Sequence, residues 1–204
     1  MSKWLNINSN AREISTNLKY LPVSLRPQMR KAMVRILAGL HRHLVNEKLS
    51  QGGILEPRTG NTKRAVFTRI DGPDSAPVGV VGVDTKKAPG ARIHEFGGTI
   101  TPKTASNLTI PLAAVLTGNK VARFTAHDVI ANPHAFGYSG TFVAKHIIFG
   151  KLGGKLAEPL FLLKKSITLP AREFLKSTLD SQATWIESQF DEALSEALRP
   201  SGGA

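Results

Sequence analysis

No cysteine occurs among the 204 residues, which excludes disulfides, thiolate nucleophiles, zinc ribbons and iron–sulfur ligation together. No apolar run approaches the ~20 residues that span a bilayer. The opening residues, MSKWLNINSNARE, also lack the apolar stretch of a secretory signal. The expectation is a soluble product of the cytoplasm with no membrane partner. Acidic residues are scarce: 15 Asp and Glu stand against 27 Lys and Arg, a formal net charge of +12. Such an excess favours a polyanionic neighbour. No internal repeat of solenoid or propeller period is visible.

What remains is a chain of globular composition, 41% hydrophobic, long enough for one domain with a core. Its charge is unevenly placed. Residues 1–70 hold 13 basic and 3 acidic side chains, residues 71–170 hold 11 and 6, and residues 171–204 hold 3 and 6. The two ends are therefore electrically opposite.

Between Ser24 and Leu49 the residues Leu25, Met29, Ala32, Met33, Ile36, Leu37, Leu40, Leu44 and Leu49 recur at spacings of three and four, the stripe of a long amphipathic helix. Pro27 falls in its first turn, where a missing N–H costs little. SQGG, residues 50–53, ends it. The opposite face carries Lys31, Arg35 and Arg42. Further on, RAVFTRI (64–70) and PVGVVGVD (77–84) read as an antiparallel strand pair. TITPK (99–103) and NLTIPL (107–112) read as a second hairpin, with Pro102 and Pro111 confining both to edges. Breakers at Gly118, Asn132-Pro133, Gly137 and Gly140 mark residues 113–140 as a long loop or projecting arm. TFVAKHIIFG (141–150) and PLFLLKKSITL (159–169) read as strands around a mobile GKLGGK, and a terminal helix begins at Pro170. The domain is expected over 24–198, after an N-terminal segment 1–23, with 113–155 as an inserted arm region and 199–204 as a frayed tail.

Several stretches imitate catalytic signatures and fail on counting. His94-Glu95 would open a zincin only if a second imidazole followed one turn later on a helix; the fifth residue is Gly98, and the two glycines argue for a strand and turn. GKLGGK is one residue short of a phosphate loop and has Leu156 where a hydroxyl should bind magnesium. GVVG (79–82) lacks the third glycine and following helix of a dinucleotide site, so its glycines read as permitting close packing. His41 and His43, two apart on a helix, point to different faces. His127 and His134 flank Asp128 without a third spaced ligand. The acids Glu187, Asp191 and Glu192 read as a solvated helix face. No catalytic constellation, cofactor site or metal site results.

The basic cluster differs in kind. Lys31, Arg35, Arg42, Lys48, Arg58, Lys63 and Arg64 could neutralise several phosphates without reading sequence. They lack the aromatic interleaving expected for single strands.

In chain order, the long helix, ILEPRTGNTKRAV, the strand pair, ARIHEFGGTITPK with LTIPL, and ITLPAREFL before a terminal helix resemble the tail-completion, or virion-morphogenesis, proteins of the neck of long-tailed bacteriophages, especially the Mu-like branch. The matching stations are Arg58-Thr59-Gly60, Ala91 to Gly98, and Pro170-Ala171-Arg172 with Phe174-Leu175; Glu173 stands where the family usually has a second proline. The resemblance implies an α+β fold, an antiparallel sheet packed by the long N-terminal helix and closed by the C-terminal one. It implies a non-enzymatic virion protein, assembled in the host cytoplasm, in a ring at the head-to-tail joint. A cyclic homo-oligomer of six is the natural expectation, with the tail terminator, head connector or stopper, and tape measure as neighbours. Packaged double-stranded DNA would pass through the channel beside some of Lys31, Arg35, Arg42, Lys63 and Arg64; a sequence-independent DNA-binding module is the competing reading. Ile93 and Phe96 are expected in the core. Arg92, His94, Glu95, Gly97, Gly98, Arg172 and Phe174 are the expected subunit seam.

Overall fold

The computed structural model describes residues 25–73, 77–154 and 156–198. The segment 1–23, Lys155 and the tail 199–204 lie outside the described residues. In chain order the elements are α1 (Arg26–His43), α2 (Asn61–Arg64), β1 (Val66–Asp71), β2 (Val78–Val83), α3 (Ala91–Phe96), β3 (Gly98–Ile100), β4 (Leu108–Pro111), α4 (Ala126–Ala131), β5 (Gly140–Ala144), β6 (Ile147–Gly153), β7 (Leu156–Lys164), β8 (Ile167–Leu169) and α5 (Phe174–Leu198). The protein is α+β, with antiparallel pairing throughout and long helices near both ends.

The chain forms two compact units rather than one domain with an arm. One comprises the described residues up to Gly97 and from Ala171 onward; the other is Gly98–Pro170.

In the first unit α1 follows its apolar stripe: Ala32, Met33, Ile36, Leu37 and Leu40 are buried, while Lys31, Arg35 and Arg42 are exposed. A π-helical turn, Leu44–Lys48, continues it. The Leu49 N–H reaches the Leu44 carbonyl at 2.9 Å, so the wider turn carries both leucines into one core. That core also holds Ala65, Val83, Ala88, Ala91, Phe174 and Leu175. Complete burial of Leu44, Leu49 and Phe174 contributes about 1.5–3 kcal/mol apiece. Strands β1 and β2 pair from Val66↔Val83 to Asp71↔Val78 as the sequence predicts, and α1 packs on both strands and on α5. Gly39 is what lets α1 and α5 approach, since a Cβ there would collide with the Trp185 indole.

In the second unit a four-stranded sheet runs β4-β7-β6-β5, and β3 pairs with β8. TITPK and NLTIPL do supply strands, but not to each other. Gly98 to Ile100 pair with Leu169 to Ile167, and Leu108 to Pro111 pair with Lys164 to Phe161. Alternation reports that a segment is extended, not which segment it meets. The single strand expected over 141–150 is a hairpin, turning at Lys145 (φ 48) and His146 (φ 63). Two left-handed residues suit a two-residue hairpin turn, but Lys-His lacks the Asn or Gly that normally announces one.

Residues 113–140 are not a projecting arm. Short 3-10 turns at Ala113–Val115 and Pro133–Phe136 flank α4. Val115, Ala126, Val129 and Tyr138 pack on Ile148, Leu160 and Phe161 of the sheet. Residues 150–154 lie at the end of β6 in the β6–β7 hairpin, with Gly153 opposite Leu156, and a strand follows where a phosphate loop needs a helix.

Candidate functional site

Residues 91–96 form α3, not the strand and turn expected from the neighbouring glycines. Gly97 (φ 68) and Gly98 (φ 137) come immediately after it. They bend the chain where a Cβ would be strained. The helix turns Glu95 inward until the residue is only 1% exposed.

Glu95 therefore does not belong to a free seam. Its Oε2 accepts the Leu175 N–H at 2.9 Å and its Oε1 the Lys176 N–H at 3.1 Å. These are orphan donors of the first turn of α5, and the helix dipole there favours an anion. Both carboxylate oxygens are thus occupied by bonds of the stronger, charge-assisted kind. The main chains reinforce the joint: the Arg172 N–H meets the His94 carbonyl at 2.8 Å and the Glu173 N–H meets the Glu95 carbonyl at 3.2 Å. That pairing explains why α5 starts at Phe174 and not at Pro170. Residues 172 and 173 are bonded to α3, and Glu173 (φ 46) makes the turn into the helix.

Phe174 is fully buried in the chain's own core, so it too is withdrawn from the expected seam. Phe96 was expected inside and is 55% exposed. The helix over 91–96 turns Ala91 and Glu95, four residues apart, to its buried side and leaves Phe96 off it. Arg92 is exposed. Arg172 anchors itself by donating from Nη1 to the Ile54 carbonyl at 3.0 Å. His94 is half-buried, and its pKa is held below the ordinary value by burial first, then by the Arg172 and Arg58 guanidinium groups. The structure brings His94, Glu95, Arg172 and Phe174 together as a structural joint.

Chemistry is no closer elsewhere. The Asp128 carboxylate accepts the Thr125 N–H at 3.0 Å while the Thr125 hydroxyl accepts the Asp128 N–H at 3.2 Å, a capping box for α4. That box holds the Asp128 pKa below the ordinary carboxylate value. His127 lies 3.8 Å from Asp128, and among the described residues no three His, Cys, Asp or Glu side chains gather to hold a metal. His43 engages Glu47 at 3.0 Å and Ser181 at 3.3 Å, fastening α1 to α5. The Tyr138 hydroxyl donates to Glu158 at 2.8 Å, and its pKa is pushed up to about 12, by burial first and then by that partner. Gly79, which the sequence marks as a packing glycine, faces Met33 and Leu37, where close packing is its use.

Two charged surfaces remain. Lys31, Arg35 and Arg42 lie exposed along α1, whose sequence contains no Asp or Glu. Lys63 and Arg64 sit apart on α2. The Arg64 guanidinium is partly committed, donating to the Thr59 carbonyl at 2.9 Å and to Asn61 Oδ1 at 2.6 Å. On α5 the exposed acids are Asp180, Glu187, Asp191, Glu192 and Glu196. No protein-family model, no curated protein and no solved structure matches this chain.

Proposed function

We propose that this chain is a non-enzymatic structural protein of the neck of a tailed bacteriophage, acting in a homo-oligomeric ring that completes the tail and joins it to the head around the DNA channel. The observation that carries this reading is the Glu95 joint. The two sequence stations that look most like a site, 91–98 and 170–175, are bonded to each other in building the fold. The residues with reactive potential are spent on shape, and the exposed charge is left for neighbours. A ring presents unlike faces of one subunit to the next, and its neighbours along the particle axis would be the tail terminator, the head connector or stopper, and the tape measure.

The test is made in a phage carrying this gene. Disrupting the reading frame should give full heads and separate tails, and the protein should be found at the neck of wild-type particles by antibody labelling. Joined, infectious particles without the protein would sink the reading.

The acid-free basic face of α1 supports a second reading, sequence-independent binding of duplex DNA. In that case the isolated chain binds duplexes of any sequence, and the logarithm of the affinity falls with the logarithm of salt at a slope of about −0.9 per phosphate neutralised. An affinity indifferent to salt would exclude it.

A further inference from the structure

Within one chain α1 and α5 lie antiparallel with their inward faces together: Gly39 meets Trp185, and His43 meets Ser181. Their outward faces carry charge of opposite sign. On α1 the outward line is Lys31, Arg35 and Arg42, all exposed, at spacings of four and seven residues. On α5 it is Asp180, Glu187 and Asp191, all exposed, at spacings of seven and four. At ~100° per residue each trio stays within about 40° of a single line, and the spacings correspond to roughly 6 and 10.5 Å of helix.

We infer that α5 of one copy docks antiparallel on α1 of a second copy, pairing Asp191 with Lys31, Glu187 with Arg35 and Asp180 with Arg42. The two ladders match only in this antiparallel sense, because the short interval comes first on α1 and last on α5. The same register sets Thr184 opposite Ala38 and Ser188 opposite Val34, small or slender residues that let the helices approach. Val34 is 54% exposed in the single chain, an apolar side chain between cations. α1 has no acid, and the one cation of α5, Lys176, lies one turn before Asp180, outside the paired span 180–191, and is 3.1 Å from Glu173.

The contact joins unlike faces of two copies; where α1 meets one neighbour and α5 another, it propagates until a ring closes or a filament grows. It supplies a seam for the self-association proposed above, and rests on that reading only for the requirement that copies meet. It also gives the basic face of α1 a protein occupant in place of DNA.

The experiment uses the full chain and two charge-reversed variants, K31E/R35E/R42E and D180K/E187K/D191K, followed by sedimentation velocity at low and high salt, with circular dichroism to confirm folding. The wild type should self-associate, and less so at high salt. Each variant alone should associate more weakly by roughly tenfold or more, since three exposed attractions become repulsions. An equimolar mixture of the two, and the single chain carrying all six changes, should recover association. Misfolding cannot produce that recovery.

A monomeric wild type, variants that associate like the wild type, or a mixture that stays apart would overturn the inference. A monomeric wild type that binds duplex DNA, with K31E/R35E/R42E losing that binding, would assign the face to nucleic acid. A chain that associates through this seam yet is absent from particles would sink the neck reading and leave the seam standing.

Discussion

Glu95 and Leu175, 80 positions apart in sequence, are joined by a buried 2.9 Å hydrogen bond from the backbone N–H of one to the carboxylate of the other. Glu95→Ala therefore removes the partner of two first-turn donors and leaves a void. A charged, buried hydrogen bond contributes about 1.5–3 kcal/mol and an orphaned donor costs about 1–3 kcal/mol. The expected loss is about 3 kcal/mol, read from urea unfolding of the helical signal. Glu95→Gln keeps one acceptor oxygen and should lose about half as much. A Glu95→Ala chain as stable as wild type would show that the carboxylate does not hold α5.

His94 gives that joint a pH dependence. Its folded pKa lies below the unfolded value of 6.5, so below that value the unfolded chain binds more protons than the folded one. Stability must then fall as the pH drops from 6.5 through the folded pKa, and level off beyond it. Replacing His94 by Asn should flatten this part of the curve. An unchanged slope between wild type and His94→Asn would assign the acid sensitivity to other groups.

In the second unit the sign is opposite. Tyr138 is raised from 10.0 to about 12, so its contribution is complete below pH 10 and is lost as the pH climbs through 12. Tyr138→Phe deletes the bond to Glu158, a neutral-to-charged pair worth about 1.5–3 kcal/mol. Its alkaline unfolding curve should start lower and lose its slope between pH 10 and 12. Spectrophotometric titration of the tyrosinate band tests the shift directly.

Gly39→Ala pits two effects against each other. Alanine in a helix interior gains up to about 1 kcal/mol over glycine, but the new methyl would overlap the Trp185 indole. Overpacking costs about 1–3 kcal/mol, so the net change should be destabilising, accompanied by a shift in tryptophan emission. With Trp185→Leu in the background, Gly39→Ala should turn neutral or stabilising.

The α1 stripe and the β1–β2 pair were legible because each depends on local periodicity, while the α+β class was an expectation of the resemblance that the fold meets. Also legible were the exposure of Lys31, Arg35 and Arg42 and the packing use of Gly79. Within 113–140 the sequence does carry one local mark of a helix: Thr125-Ala126-His127-Asp128 has the spacing of a capping box, and α4 starts there. The turn at Lys145-His146 had no such mark, since neither residue type announces a left-handed pair.

The amino-acid order by itself determined what this protein cannot do by thiol chemistry, where its long helix runs and how its charge divides between its ends. Those are properties of composition and of spacing within a few turns. Only the tertiary structure decided that Glu95 and Phe174 face inward, that β3 meets β8 while β4 meets β7, and that residues 113–140 pack on a sheet. Each of these depends on segments tens of residues apart finding one another, and a buried carboxylate is stable only where a distant helix supplies the donors.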